Sequence, residues 1–232
     1  AWGAVTPVNA YRSLSASRYL QAPGQDAQQF SQWEHPGTPS RWSNASQLVM
    51  VASDAGSIEQ ESAAVQSAEL AQGEKVIDAW LGMHVDAGQW PRGLNAVGQV
   101  GALSYLSLTV HVPSTTRVQM SAYAYGTVVS SATLTADIGL SRDGQQVFSW
   151  SQTPTYGDFA GGFSDYFTLT PGNWEFSANI NGTARSGPES GQRRYGELML
   201  SLSVFEVAIP NVSGACVLAL AGIGAGLKRR RA

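Results

Sequence analysis

The sequence has little charge and a single cysteine. Charged residues make up 13% of the 232 residues, about half of the roughly 25% usual for soluble domains. Because Cys216 has no second cysteine to pair with, no intramolecular disulfide can form and cysteine zinc sites lack ligands. The chain is therefore not a small disulfide scaffold, and it is long enough to bury a core without staples. Gly, Ser, Ala and Thr replace the charged residues, a composition that favours an extracellular protein.

Basic residues are scarce before the last five positions. Ten basic and 17 acidic residues lie before position 208, so residues 1–207 carry a net charge of −7. Binding to nucleic acid needs a basic face that neutralises phosphates. We therefore expect no nucleic-acid partner.

Residue patterns for catalysis and metal binding are also missing. His35, His84 and His111 show neither a His-x-x-x-His nor a His-Glu-x-x-His spacing, and there is no Gly-x-Ser-x-Gly elbow. Two catalytic carboxyls of a glycosidase need a specific separation across a cleft, which no spacing here implies. We expect no metal, no cofactor and no enzymatic activity. The carboxylates that could be nominated, read here as solvent-facing, are Glu175, Glu197, Glu206 and Asp165.

The C-terminal segment separates apolarity from charge. Residues 212–227 are sixteen residues without a charge, followed at once by Lys228, Arg229, Arg230 and Arg231. As a helix this run would extend about 24 Å, somewhat less than the roughly 30 Å hydrocarbon core of a bilayer. The basic cap would stay cytoplasmic and hold the preceding residues outside. The pattern predicts a single transmembrane-like helix that anchors the chain transiently, rather than a buried core helix.

This tail resembles the PEP-CTERM sorting tail of bacteria, which an exosortase processes. That family has a short proline-containing signal, an apolar span rich in small residues and a terminal arginine cluster. The signal reads Val-Pro-Glu-Pro or a looser variant, and the matching positions here are Ile209, Pro210, Asn211 and Val212. The resemblance covers about residues 209–232. It implies an exported protein with a transient inner-membrane anchor and an exosortase-like processing enzyme as partner.

Two further readings of the tail are open. Sortase-type tails share the three-part layout, and residues 209–214 distantly echo Leu-Pro-x-Thr-Gly. Cys216 can be read as a lipidation or processing residue or as a small apolar residue within the span.

The amino-terminal region is also typical of exported proteins. The chain begins Ala1-Trp2-Gly3, and we expect a secretory signal peptide upstream. Val5-Thr6-Pro7 followed by the serines of residues 12–17 is similar to the opening of exported proteins of unknown function that carry such tails. The turn at residues 169–174 is similar to turns in bacterial extracellular β-sandwiches. Both resemblances imply location and fold, and no activity.

Alternation with a period of two dominates after residue 100 and predicts strands with one buried face. Pro113-Ser114-Thr115 marks a turn, and we expect the strands that flank it to form an antiparallel pair. Asp143-Gly144 is a hairpin signal. Two antiparallel sheets packed face to face would bury every apolar face, so the pattern predicts an all-β sandwich of jelly-roll type over residues 1–207, followed by the tail at 208–232. The apolar runs are Leu106 to Val112, Val118 to Ala124, Leu134 to Leu140, Phe148 and Trp150, Phe167 and Leu169, Trp174 to Ile180, and Leu198 to Val204.

The first hundred residues give weaker signals. Residues 12–17 and 47–53 predict strands separated by a polar, proline-rich stretch. Residues 57–73 are rich in Glu, Gln and Ala, which favours a helix, but their apolar residues lack helical spacing, so we predict a strand. Residues 76–85 predict a further strand or a short buried element, and residues 86–101 predict an exposed, glycine-rich loop.

The best candidate for a ligand surface is the segment 156–166, which interleaves aromatics, glycines and two carboxylates. We interpret it as a loop. Aromatic faces stack on sugar rings and carboxylates accept hydrogen bonds from hydroxyls, whereas the alternative is that its phenylalanines cap the core. The candidate glycan-binding residues are Tyr156, Asp158, Phe159, Phe163, Asp165 and Tyr166.

Two functional hypotheses follow from the sequence. The first is a non-enzymatic protein of the cell envelope or extracellular matrix, processed at its sorting signal. The alternative is a carbohydrate-binding module that acts on exopolysaccharide or environmental glycans, with a polysaccharide as its partner.

Overall fold

Twelve antiparallel strands make up nearly all of the chain that the computed structural model describes, which is residues 5–21, 28–34, 41–53, 57–72, 75–90, 97–130, 132–186 and 194–207. Within these ranges there is no helix. The strands are β1 (Thr6–Gln21), β2 (Gln28–Glu34), β3 (Arg41–Ser53), β4 (Ser57–Gln72), β5 (Lys75–Trp90), β6 (Val97–Val112), β7 (Thr116–Val129), β8 (Thr133–Arg142), β9 (Gln145–Gln152), β10 (Gly157–Leu169), β11 (Gly172–Ser186) and β12 (Arg194–Val207).

The strands form two six-stranded sheets. Sheet 1 has the order β2-β1-β6-β11-β8-β9, and sheet 2 has the order β10-β7-β12-β5-β4-β3. Every pairing is antiparallel. The prediction of an all-β antiparallel two-sheet sandwich is confirmed.

The last eight strands pair in a nested order. β8 pairs with β9, β7 with β10, β6 with β11, and β5 with β12. Each successive pair therefore encloses the one before it in sequence, and the pairs alternate between the two sheets. β1 and β2 extend sheet 1 beyond β6, while β4 and β3 extend sheet 2 beyond β5.

The core lies between the two inner faces. Along β11, buried and more exposed side chains alternate, and Phe176 and Ile180 are fully buried. Along β12, Leu198, Leu200 and Leu202 are fully buried on one face. This period-two burial is what the alternation in sequence predicts, and the predicted apolar faces from residue 106 onward lie in strands.

The two turns predicted after residue 100 have different outcomes. Asp143 and Gly144 have φ of 49° and 79° and join β8 to β9 as a two-residue hairpin, as predicted, because a turn of this type needs positive φ at both central residues. The expected pairing across residues 113–115 is wrong. β6 pairs with β1 and β11 in sheet 1, while β7 pairs with β12 and β10 in sheet 2, so this link crosses between sheets. Alternation identifies the buried face of a strand and not its neighbour.

The amino-terminal half follows the predictions in part. The strands predicted at 12–17, 47–53 and 76–85 lie within β1, β3 and β5, and residues 57–72 form strand β4, as predicted, rather than a helix. β2 lies in the stretch interpreted as a polar connection. The exposed loop predicted at 86–101 is wrong at both ends, since β5 runs to Trp90, β6 begins at Val97, and Ala87 and Val100 are buried. Gly88, Gly98 and Gly101 are accommodated within these strands.

The tail at 208–232, with its predicted helix, lies outside the described residues. Among the residues that are described, no helix is long and apolar enough to cross a membrane.

Truncating the core should destabilise the sandwich strongly. Phe176 is 0% exposed between the sheets, and Phe176→Ala should lower the free energy of unfolding by about 3–5 kcal/mol, because it leaves a cavity. Val147 is 55% exposed on β9, and Val147→Ala should change it by no more than about 0.5 kcal/mol. Urea unfolding of both variants measures the difference, and equal effects would contradict this description of the core.

Candidate functional site

The segment 156–166, predicted to be a loop, lies almost entirely in a strand. β10 pairs with β7 over thirteen consecutive residues without a register shift and forms one edge of sheet 2. Its phenylalanines recur every fourth residue at 159, 163 and 167, which places them on one face of a strand. The loop prediction is therefore wrong. It arose because the glycines between the phenylalanines concealed this period.

The candidate residues on β10 therefore separate by face. Phe159 and Phe163 are half-buried and pack against the core. The ring centroid of Phe163 lies 4.9 Å from that of Phe148 and 5.8 Å from that of Trp150. The ring centroids of Phe148 and Phe167 are 5.0 Å apart. These phenylalanines close the sandwich between edge strands β9 and β10, so they are not available to stack on a ligand.

The remaining candidates in this segment are exposed but dispersed. Asp158 accepts a hydrogen bond from Thr127 at 2.7 Å, and Asp165 accepts one from the backbone N–H of Tyr166 at 2.7 Å. Tyr156 is 75% exposed just before β10. Tyr166 lies under the guanidinium of Arg117, 4.4 Å from its ring centroid. The six residues thus do not converge on one site.

The aromatic residues of this segment should respond differently to truncation. Phe163→Ala removes ring contacts that close the core and should cost about 2–3 kcal/mol, less than a fully buried phenylalanine. Tyr156→Ala removes a ring that is mostly in water and should be nearly neutral. Chemical denaturation measures both, and a large loss from Tyr156→Ala alone would reverse this assignment.

The outward side chains of β10, β7 and β12 form a surface that we call the tyrosine face. Tyr123 and Tyr125 project from β7 and are 50% and 47% exposed, with ring centroids 6.0 Å apart. Neither hydroxyl hydrogen-bonds another residue in the described ranges. A shallow groove of about 490 Å³ runs beside Tyr123. Its outward lining comprises Ser121, Tyr123, Gly162, Ser164, Ser201 and Ser203.

Small residues flank both tyrosines on β10 and flank Tyr123 on β12, where Met199 lies opposite Tyr125. On β10, Gly162 lies opposite Tyr123 and Ala160 lies opposite Tyr125. On β12, Ser201 lies opposite Tyr123. A Cβ at Gly162 would collide with the backbone oxygen of Ala122 and crowd the Tyr123 ring, so the glycine keeps one side of that ring open.

Sequence reasoning assigned residues 118–124 to a strand but did not identify this face. The inward positions Met120, Ala122 and Ala124 are buried, which leaves Tyr123 and Tyr125 at outward positions. Outward positions of a half-exposed strand are usually polar. Two adjacent outward tyrosines were therefore the available signal.

The outer face of sheet 1 carries a second, more polar groove of about 540 Å³, which includes Asp137, Gly139 and Glu175. Asp137 accepts hydrogen bonds from Ser151 at 2.7 Å and Asn179 at 3.3 Å. Glu175 accepts one from Ser107 at 2.6 Å. Because both carboxylates accept hydrogen bonds from residues on neighbouring strands, they stabilise the pairing of those strands.

Tyr105 lies on the same face of sheet 1. Burial raises the pKa of its phenol above 10.0, and the negative charge of Glu175 raises that pKa further, while a hydrogen bond with Ser107 opposes the shift. The Tyr105 ring also lies 5.8 Å from that of Tyr11.

This pKa shift makes stability fall at high pH. In the unfolded chain the phenol loses its proton near its ordinary pKa, whereas folded Tyr105 still retains it. The unfolded state therefore binds fewer protons than the folded state at these pH values, and the free energy of unfolding decreases as pH rises. As the pH rises through the ordinary phenol pKa of about 10, wild-type protein should therefore lose stability relative to Tyr105→Phe. Urea unfolding at several pH values checks this, and parallel pH profiles would contradict it.

The carboxylates nominated for hydrolysis are engaged in local contacts. Glu175 and Glu197 belong to different sheets and project from opposite outer faces. Glu197 accepts a hydrogen bond from the Tyr195 hydroxyl at 2.5 Å, and Glu206 accepts one from the backbone N–H of Val5 at 2.8 Å. In the described ranges, no three His, Cys, Asp or Glu side chains form a group that could hold a metal ion.

Two histidines belong to the described chain. His111 makes a 3.0 Å hydrogen bond with the Asn173 side chain on the exposed side of sheet 1. His84 lies 3.8 Å from a carboxylate oxygen of Glu61 and meets the Tyr195 ring edge-on at 5.0 Å. His35 lies outside the described residues, as do the sorting positions Ile209 to Val212 and the basic cap Lys228 to Arg231.

Comparisons with known proteins establish no family. No family model matches the chain, and no curated protein matches it by sequence. Among solved structures, it is similar to the enzymatically active domain of tailspike protein 4 from bacteriophage CBA120, at 13% identity and a TM-score of 0.29, with 71% of this chain and 19% of that chain covered. It is also similar to a structure of infectious bursal disease virus, Gt strain, at 11% identity and a TM-score of 0.26, with 87% and 62% covered. The chain thus spans less than two thirds of either neighbour.

Proposed function

We propose that the protein is a non-enzymatic component of the cell envelope or extracellular matrix that is exported and transiently anchored by its C-terminal tail. The observation that carries the proposal is the order of segments. The last strand of the all-β body ends at Val207, and the tail that follows consists of a proline-containing signal, sixteen uncharged residues and the basic cap.

The physical logic of the anchor is a separation of charge from apolarity. Lys228 and the three arginines would remain on the cytoplasmic side under the positive-inside rule. The small residues of the span, such as Gly222 and Gly224, contribute little buried area. A weak hold suits a protein that is transferred elsewhere after processing near Pro210 by an exosortase-like enzyme.

We also infer that the body is a jelly roll. The nested pairing of β5 to β12 across two sheets supports this topology, which consists of eight strands in two facing sheets. The tail would form its helix beyond that body.

Processing can be tested by the intact mass of native protein recovered from its source. We expect a mature form that ends near Pro210, without the apolar span and basic cap. The variant Pro210→Ala changes the signal while leaving the span and cap intact, and we expect it to keep the tail attached. Native protein that retains residues 210–232 in every molecule would contradict the proposal.

A second candidate function is carbohydrate binding. It is favoured by the exposure of Tyr123 and Tyr125 on the tyrosine face, where neither hydroxyl has a partner in the described chain. Tyrosine offers both an apolar ring and a hydrogen-bonding hydroxyl. Of the earlier candidates, Tyr166 would lie on the same face beside Arg117, whereas Tyr156 precedes β10 and would lie outside it.

A further inference from the structure

We propose that the tyrosine face binds an uncharged polysaccharide, which lies in the groove beside Tyr123 and stacks on Tyr123 and Tyr125. The inference rests on the second candidate function and specifies its surface and its ligand class. It is independent of how the tail is processed.

The charge of the surface selects the class of ligand. The groove has no charged residue in its lining, which consists of four serines, Tyr123, Gly162, Ala122 and Phe163. The neighbouring charges are engaged, since Arg117 lies over Tyr166 and Asp158 accepts a hydrogen bond from Thr127. A nucleic acid or an acidic polysaccharide would bring closely spaced negative charges, and among the described residues no cation lines the groove to meet them.

The hydrogen-bonding groups of the face suit hydroxyl-rich ligands. Ser201 and Ser203 donate to the backbone oxygen of Tyr123 and to Asp78, at 3.3 and 3.2 Å, so their oxygens remain available as acceptors. Ser164 accepts from the Gln119 side chain at 3.1 Å and can donate its own proton. The floor of the groove can therefore donate and accept, as sugar hydroxyls also do.

The shape favours an extended chain over a protein partner. A sheet surface is nearly flat along its strands, and beside the groove Tyr123 rises above Gly162 on β10 and Ser201 on β12, with Tyr125 next to it on β7. Protein interfaces are built around an apolar centre and are depleted in serine, whereas this floor contains four serines. Rings above a polar floor allow a sugar chain to stack on one side and form hydrogen bonds on another.

Retention in native gels tests the proposal with the full 232-residue chain in a non-ionic detergent. Separate gels would contain hydroxyethylcellulose, galactomannan, dextran or the anionic polygalacturonate. At least one neutral polymer should retard the chain, and polygalacturonate should not. Tyr123→Ala and Tyr125→Ala should each weaken retention by about tenfold or more, as expected for central aromatic contacts.

Tyr11→Ala is the matched control. Tyr11 is 48% exposed and lies beside another tyrosine, but on the outer face of sheet 1, so its removal should leave retention unchanged. Ser164→Arg fills the groove from exposed strand β10 without altering either tyrosine, and it should abolish retention. Equal thermal midpoints would establish that the variants are folded.

Chemical footprinting supplies a measurement that needs no variant. The polymer that retards the chain should reduce nitration of Tyr123 and Tyr125 by tetranitromethane and leave Tyr11 and Tyr156 unchanged. Protection of Tyr156 instead would overturn the assignment of the surface.

The outcomes separate the two levels of the proposal. If no neutral polymer retards the chain, carbohydrate binding itself fails. If retention survives both tyrosine substitutions, carbohydrate binding stands and the tyrosine face is the wrong surface. If polygalacturonate retards the chain at least as strongly as the neutral polymers do, the inferred ligand class is wrong.

Discussion

Burial of one face of each sheet against the other is the constraint that organises this protein. The inner faces are filled by fully buried side chains such as Phe176 and Leu200, and this apolar contact is the dominant favourable term in folding. Since side chains alternate along a strand, fixing the inner face also fixes which residues point outward. The composition of the two outer faces is consequently much less constrained by packing, and function can be sought there.

The amino-terminal part of the sandwich meets the same constraint with different residues. The inward positions of β4 include Ser62, Ala64 and Gln66, all 0% exposed. The Gln66 side chain donates across the gap to the backbone oxygen of Tyr105 on β6 at 2.9 Å, and Ser62 donates to that of Ser17 on β1 at 3.3 Å. Buried polar groups are tolerated when they are hydrogen-bonded, so these contacts join the sheets where large apolar side chains are few.

How well the sequence predicted each strand depends on the size and polarity of the residues on its inward face. Where inward residues are large and apolar, as on β11 and β12, alternation identified the strands and their buried faces. On β4 the inward residues are small or polar, so composition favoured a helix and only the lack of helical spacing favoured a strand. Pairing was harder, because the crossing at 113–115 depends on contacts between distant segments. On β10 the glycines resembled those of a loop, so a strand was interpreted as a loop. The tail remains a prediction from sequence alone.

The two outer faces differ in what their polar groups already do. On sheet 1, Asp137 and Glu175 have hydrogen-bond partners on adjacent strands, so their presence has a structural explanation. On sheet 2, Tyr123 and Tyr125 leave about half of each side chain in water and make no hydrogen bond through their hydroxyls within the described chain. The inward face of β7 supplies its buried contacts, so the packing of the core does not require aromatic rings at the outward positions. Hydrogen bonds within sheet 1 therefore account for the carboxylates, whereas the hydroxyls of Tyr123 and Tyr125 are groups that a ligand on the tyrosine face would meet.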